Sequence, residues 1–239
     1  MDANNEEDGE YRFFVDSTCD GAAAAGFLRT AKEKLPGVTS LWHPTFIDHL
    51  ELHKLASLRQ NIHTVSHPRF DRPVVAKFTE FPWQTPYLEA ETAAYQWIDG
   101  ADIGPRFLGH LTEGEEEIRV IGAVVEYIDE ARTAGPQDTM ACRDVLKKLH
   151  DWESSMGDIN KHNFLVRGSG GGGGGSGSAV ILDFETAKGD VTSDELEEEF
   201  QRLEKSLQDP SLRGAAPSGF RFLSFAMLPD SLQSSHITL

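Results

Sequence analysis

Asp158 and Asn163 stand five positions apart in "GDINKHNFLV" (157–166), and Asp183 follows in "AVILDFETA" (179–187). Each offers hard oxygens beside a short apolar run. Mg²⁺ selects hard oxygen ligands, with one or two carboxylates among them. Phosphoryl transfer asks a protein for little covalent chemistry. It needs positioned cations, carboxylates that hold Mg²⁺, and a carboxylate beside the attacking group. Asn163 and Asp183 suit the metal-holding part. Asp158, on the loop before Asn163, suits the proton-accepting part. Lys77 lies inside the β-branched run "RPVVAKF" (72–78), and a buried ammonium needs a partner. Glu91 or Glu89, on the next segment, can supply it. Asp and Asn also favour plain turns; the second aspartate and the upstream lysine turn the spacing toward chemistry.

The elements that must hold these residues follow from pattern. "RPVVAKF" reads as a strand after a proline. "TPYLEAETAAYQWIDG" (85–100) reads as a helix, with Thr85 as its cap, Pro86 in its first turn and Gly100 at its end. Leu88, Tyr95 and Ile98 share one face of it, with Glu91 beside them. "IRVIGAVVEYID" (118–129) is a strand running into a connector, and "DTMACRDVLKKLHDW" (138–152) an amphipathic helix. "NFLV" and "AVILDF" are short strands joined by the glycine tract 168–178. No helix directly follows that tract, so it reads as a flexible hairpin connector and not a phosphate cradle. "TSDELEEEFQRLEKSLQD" (192–209) is a helix capped by Thr192 or Ser193, with an acidic first turn.

"AAAAGFLRTAKEKL" (22–35) has helical composition broken by Gly26. The late run "FRFLSFAML" (220–228) reads as a packing or partner segment. The order predicts an α+β chain in two lobes, 11–129 and 130–239, behind a disordered acidic tail at 1–10.

The chain has 239 residues and a net charge of −17, with 39% hydrophobic and 26% charged residues. That suits a globular protein with a sizeable core. So acidic a chain is a poor nucleic-acid binder and is repelled by anionic membranes. A cationic small-molecule partner is mildly favoured, although solubility alone accounts for such a charge. Cys19 and Cys142 form no disulfide framework or metal spacing, and the start of the chain lacks signal-peptide character. A cytoplasmic location is expected. The histidines show no repeated ligand spacing. Oligomeric state is not legible.

Taken in order, these pieces resemble the protein-kinase-like fold in its aminoglycoside-phosphotransferase-like branch, especially its short fungal members. "VVAK" resembles the lysine strand, and "EAETAAYQWI" the helix carrying the ion-pair glutamate, with Glu91 the nearer match. "VVEYI" resembles the hinge, where the backbone of Glu126 and Ile128 would meet adenine. "GDINKHN" resembles the catalytic loop, and "LDFE" the Asp-Phe-Gly element. The resemblance spans about residues 50–210 and rests on five weak motifs in the right order. It implies a small antiparallel-sheet N-lobe and a reduced, mainly helical C-lobe. It also implies ATP and Mg²⁺ as cofactors. Asp158 would be the base, Asn163 and Asp183 the metal ligands, and Lys77 with Glu91 the phosphate-binding pair.

The chain departs from that pattern in several places. No glycine-rich loop precedes Lys77; "LASLRQNIHTV" (55–65) stands there, with Ser57 and backbone amides as phosphate donors. Met156 replaces the usual histidine, Asn160 replaces a lysine, and Glu185 replaces the final glycine. No Ala-Pro-Glu segment follows, so a protein-substrate platform is not expected. The implied activity is an ATP- and Mg²⁺-dependent phosphotransferase acting on a small-molecule acceptor. The alternatives are a pseudokinase that binds nucleotide or serves as a scaffold, and ATP-dependent activation of a carboxylate.

Overall fold

A computed structural model describes residues 35–114, 118–168 and 177–211, together with two short strands, Tyr11–Arg12 (β1) and Leu28–Arg29 (β2). These residues fall into two units divided between Pro36 and Gly37. In the first, β1 and β2 pair antiparallel. The expected tail 1–10, nearly all of the helix expected over 22–35, the middle of the glycine tract and the run 220–228 lie outside the described residues.

The second unit is α+β. Its larger sheet holds Phe46–Asp48 (β3), His53–Arg59 (β4), Ile62–Ser66 (β5), Val74–Phe78 (β6), Phe107–Glu113 (β7) and Arg119–Glu126 (β8). The strand order is β3-β7-β8-β6-β5-β4. The sheet is mixed, not wholly antiparallel as expected, because β3 joins β7 in parallel. Of these strands, sequence pattern marks only β6 and β8, whose β-branched runs are nearly uninterrupted. The others carry His, Lys, Gly and Thr among their apolar residues, so their alternation is faint.

The chain leaves this sheet after Glu126 and enters a second, three-stranded antiparallel one at Ala131–Thr133 (β9). There β9 flanks Phe164–Arg167 (β10), which pairs with Ala179–Ile181 (β11), in the order β11-β10-β9. The expected hairpin around the glycine tract is therefore present, with Leu165 opposite Val180.

Three helices cover these sheets. Thr85–Trp97 (α1) buries Leu88 and Tyr95 on the expected face and Glu91 beside them, and Ile98 is buried just past its end. Gln84, and not Thr85, holds the cap position. Thr139–His150 (α2) buries Ala141, Cys142, Val145, Leu146, Leu149 and His150. That i, i+1, i+4, i+5 rhythm is the helical period. Ser193–Gln208 (α3) begins with a capping box: Thr192 Oγ1 accepts from the Glu195 amide, and the Glu195 carboxylate accepts from the Thr192 amide at 2.8 Å. Asp194 and Glu195 also complement the helix dipole.

One apolar cluster ties these elements together: Tyr95 of α1, Val125 of β8, Leu149 of α2, Phe164 of β10, Phe184 and Leu203 of α3. A second, around Ile47, Val74, Leu111 and Val124, fills another part of the large sheet. Side chains of this size stabilise by about 1.5–3 kcal/mol each when fully buried. They hold rigid the segments that carry the polar residues below. No helix among the described residues is long and apolar enough to cross a membrane.

Candidate functional site

Lys77 sits near the end of β6, opposite Ala123 of β8. Its ammonium meets three carboxylates: Glu91 of α1 at 2.6 Å, Glu185 at 2.8 Å and Asp183 at 3.2 Å. Of the two glutamates that the sequence left open, α1 turns Glu91 inward. Glu89 instead accepts from Ser40, and from the amide and hydroxyl of Thr39. Burial opposes the charge on Lys77, but Glu91, Asp183 and Glu185 outweigh it and raise its pKa. Burial pushes Glu91 the other way, above the usual carboxylate range, against the pull of Lys77. At this separation the ion pair dominates, and Lys77 is held as the ammonium.

Asp183 lies just past β11 with a φ of +63°. Side chains rarely adopt that left-handed geometry, although Asp tolerates it better than most, and it concentrates at functional sites. It is held from both sides. The Leu182 amide donates to the Asn163 carbonyl at 2.7 Å. Phe184 is fully buried, edge-on to Tyr95 with centroids 5.3 Å apart. Arg59 of β4 approaches Asp183 at 3.8 Å.

Arg59, Lys77, Glu91 and Asp183 line a cavity of about 280 Å³. Leu58, Val75, Ala123, Leu165 and Leu182 make much of it apolar, and Asn163 lines it too. Glu126 and Ile128 line the same space. The Glu126 amide donates to the Arg106 carbonyl at 2.9 Å, and its carboxylate accepts from the Arg106 amide. Ser57 does not line the cavity; Leu58 and Arg59 do. A register shift between Ser57 and Arg59 interrupts the alternation of β4 there. Such a bulge re-aims side chains, and no glycine announces it in the sequence.

Asp158 is exposed and is not among the residues lining that cavity. It lines an adjacent one of about 330 Å³ with Lys161, Arg202 and Lys205. Asn163 connects the two, its Nδ2 lying 3.5 Å from Asp158 Oδ2 and 3.4 Å from the Asp158 carbonyl. The loop before Asp158 is clamped. Gly157 has a φ of +83°, and a Cβ there would come within 2.5 Å of the Thr186 carbonyl, so only glycine fits. The Thr186 hydroxyl donates to the Met156 carbonyl at 3.0 Å and accepts from the Asp158 amide at 2.9 Å. Met156 itself is fully buried in the apolar core.

Glu199 is the group that sequence reading missed. Its buried carboxylate accepts from the Gly157 amide at 2.7 Å and the Met156 amide at 3.1 Å, and pairs with His150 at 2.9 Å. Burial raises its pKa, but these hydrogen bonds win and hold it below the usual range. A signal existed: Glu199, Leu203 and Leu207 are spaced i, i+4, i+8, which puts the glutamate on the apolar face. The acidic run around it hid that. Arg59 and Thr186 gave no signal of their own.

No family model matches this chain, and no curated protein sequence matches it. Its chemistry has to come from the geometry. Three carboxylates face Lys77 and the more distant Arg59, so one negative charge is left over. Glu91, Asp183 and Glu185 present oxygens that all lie within 4.8 Å of one another. A compact set of hard oxygens with surplus negative charge suits a hard divalent cation.

Proposed function

We propose that this protein is an ATP- and Mg²⁺-dependent phosphotransferase of small molecules, its second unit built on a two-lobed, protein-kinase-like arrangement with the seam near residue 129. The observation that carries this reading is Lys77, ringed by Glu91, Asp183 and Glu185, beside an apolar cavity that Lys77, Glu91, Asp183 and Asn163 line. The cavity suits a flat heterocycle, and its polar end suits phosphates with a metal.

Asp183 and Asn163 would hold Mg²⁺, with Glu185 near enough to join them. Bound there, the ion would neutralise charge on the β- and γ-phosphates. Lys77, oriented by Glu91, places an ammonium at the same phosphates, and Arg59 approaches from β4. Asp158 orients the acceptor hydroxyl and takes its proton as the oxygen attacks the γ-phosphorus and ADP leaves. A positioned base of this kind contributes roughly 10²–10⁴-fold. Glu199 and Thr186 keep its loop in place.

A second reading, a pseudokinase that binds nucleotide without turnover, draws on one observation. Glu185 lies 2.8 Å from Lys77, and Arg59 lies 3.8 Å from Asp183. The cationic and metal-binding groups thus satisfy one another, and no glycine-rich loop stands ready to displace Arg59. Calorimetric titration of ATP with and without Mg²⁺ tests the shared part of both readings. ADP release across a panel of hydroxylated acceptors separates them.

A further inference from the structure

The cavity beside Asp158 gathers three cationic side chains in a chain that is acidic as a whole. Lys161 enters it from the loop, and Arg202 and Lys205 from α3. Five of the six acidic residues of α3 fall in its first two turns, and the sixth, Glu204, pairs with Arg143, whereas Arg202 and Lys205 belong to its second half.

Two of the three cations, Lys161 and Lys205, make no ion pair among the described residues, and Arg202 pairs with Glu199. The Arg202 guanidinium donates to the Gly157 carbonyl at 3.2 Å and lies 3.5 Å from Glu199. The Glu199 charge is shared with two amides and His150. The Lys161 ammonium donates to the Asp209 carbonyl, a neutral partner. Lys205 is exposed and makes no ion pair among the described residues. The carboxylates lining the cavity are Asp158 and Asp209. Asp209 is engaged by the Ser211 amide and hydroxyl at 2.8 and 2.9 Å. With Arg202 paired to Glu199, the two lysines face Asp158 and the hydrogen-bonded Asp209, in a chain of net charge −17.

We propose that this cavity binds the acceptor, and that the acceptor is a hydroxylated small molecule bearing an oxyanion, a carboxylate or a phosphate ester. The anionic group sits on Lys161, Arg202 and Lys205, and the hydroxyl reaches Asp158. Lysine ammonium groups act as point charges that suit such anions. The net charge of the chain mildly favours a cationic ligand, but short-range charge decides binding, because about 8–10 Å of salt solution screens the rest. The assignment of Asp158 as base rests on the phosphotransferase reading; the anion site does not.

Inorganic phosphate is the probe, titrated into the ¹⁵N-labelled full chain without nucleotide. The expected result is saturable shifts in the amides of residues 160–161 and 202–206, weaker at high salt. The variant Lys161→Gln/Lys205→Gln should weaken them roughly tenfold or more. Both lysines are at least partly exposed, and a melting curve checks that the variant is folded. Three results would overturn the inference: phosphate shifts confined to residues around Lys77 and Arg59, no phosphate shifts at all, or the same 160–161 and 202–206 amides responding to choline instead. A separate titration of wild type with Mg²⁺–ATP keeps the two readings apart. If ATP binds and phosphate does not, the anion site fails alone. If phosphate binds as expected and ATP does not, the phosphotransferase reading fails and the anion site stands. A sugar phosphate and a hydroxy acid, compared as acceptors, then distinguish the two oxyanions.

Discussion

The buried carboxylate of Glu199 receives the Gly157 amide at 2.7 Å, one residue along from the Met156 carbonyl that Thr186 holds. One helix and one post-strand loop thus grip the segment that presents Asp158. The acidic side chain does structural work at a place where the chain must adopt left-handed geometry.

Removing that carboxylate strands two amides and His150. Glu199→Ala should cost about 3 kcal/mol or more, since each buried group left unpaired costs about 1–3 kcal/mol. Glu199→Gln, which keeps acceptor and shape, should cost less. Urea denaturation of both variants checks the ranking. An alanine variant as stable as the glutamine variant would show that the amides find other partners.

Acid should weaken the fold over a defined window. His110 is fully buried, and burial, with His43 beside it, lowers its pKa from 6.5 to about 4. Between those values the unfolded chain takes up a proton that the folded chain does not. The contribution is therefore complete above pH 6.5 and falls as pH drops toward 4. His110→Gln should flatten the stability–pH profile there by up to about 1.4 kcal/mol per pH unit. A profile identical to wild type would place the acid sensitivity elsewhere, with His43, His63 and His162, whose pKa values burial also lowers.

The Lys77 cluster predicts strong coupling. Lys77→Met leaves Glu91 buried and unpaired, at a cost of about 3–5 kcal/mol. Lys77→Met/Glu91→Leu removes both charges and should recover much of that loss. The four stabilities of the double-mutant cycle measure the coupling; additive effects would mean that Glu91 does not depend on Lys77.

The glycine tract should be dispensable. The Arg167 amide donates to the Ser178 carbonyl at 2.9 Å, so β10 and β11 are joined right up to the tract. Loop closure changes by only about 0.6 kcal/mol per doubling of length. Replacing residues 169–176 with Asn-Gly should leave the melting temperature within a few degrees and nucleotide binding intact. Loss of binding would show that the tract meets the ligand.

What could be read from sequence tracks how local each feature is. The α1 face, the α2 period and the β10–β11 hairpin are local patterns, and all three appear near the expected bounds. Asp183, Asn163 and Lys77 were legible as types in order, yet that Glu185 also reaches Lys77 depends on how the chain turns after β11. The edge strands β3 and β4 were not legible because neither alternates cleanly, and the parallel partnership of β3 with β7 joins residues more than sixty positions apart. Glu199 was hidden among like residues, and only its spacing to Leu203 and Leu207 distinguishes it.

The most direct measurement is Mg²⁺–ATP affinity and turnover for Asp158→Asn beside Asp183→Asn, after melting curves confirm that both are folded. Asp158 lies outside the apolar cavity, so its variant should bind Mg²⁺–ATP like wild type while turnover falls roughly 10²–10⁴-fold. Asp183 offers a metal ligand beside Lys77, so its variant should lose both. Unchanged ATP binding in Asp183→Asn, or no ATP binding by wild type at any Mg²⁺ concentration, would contradict the phosphotransferase reading.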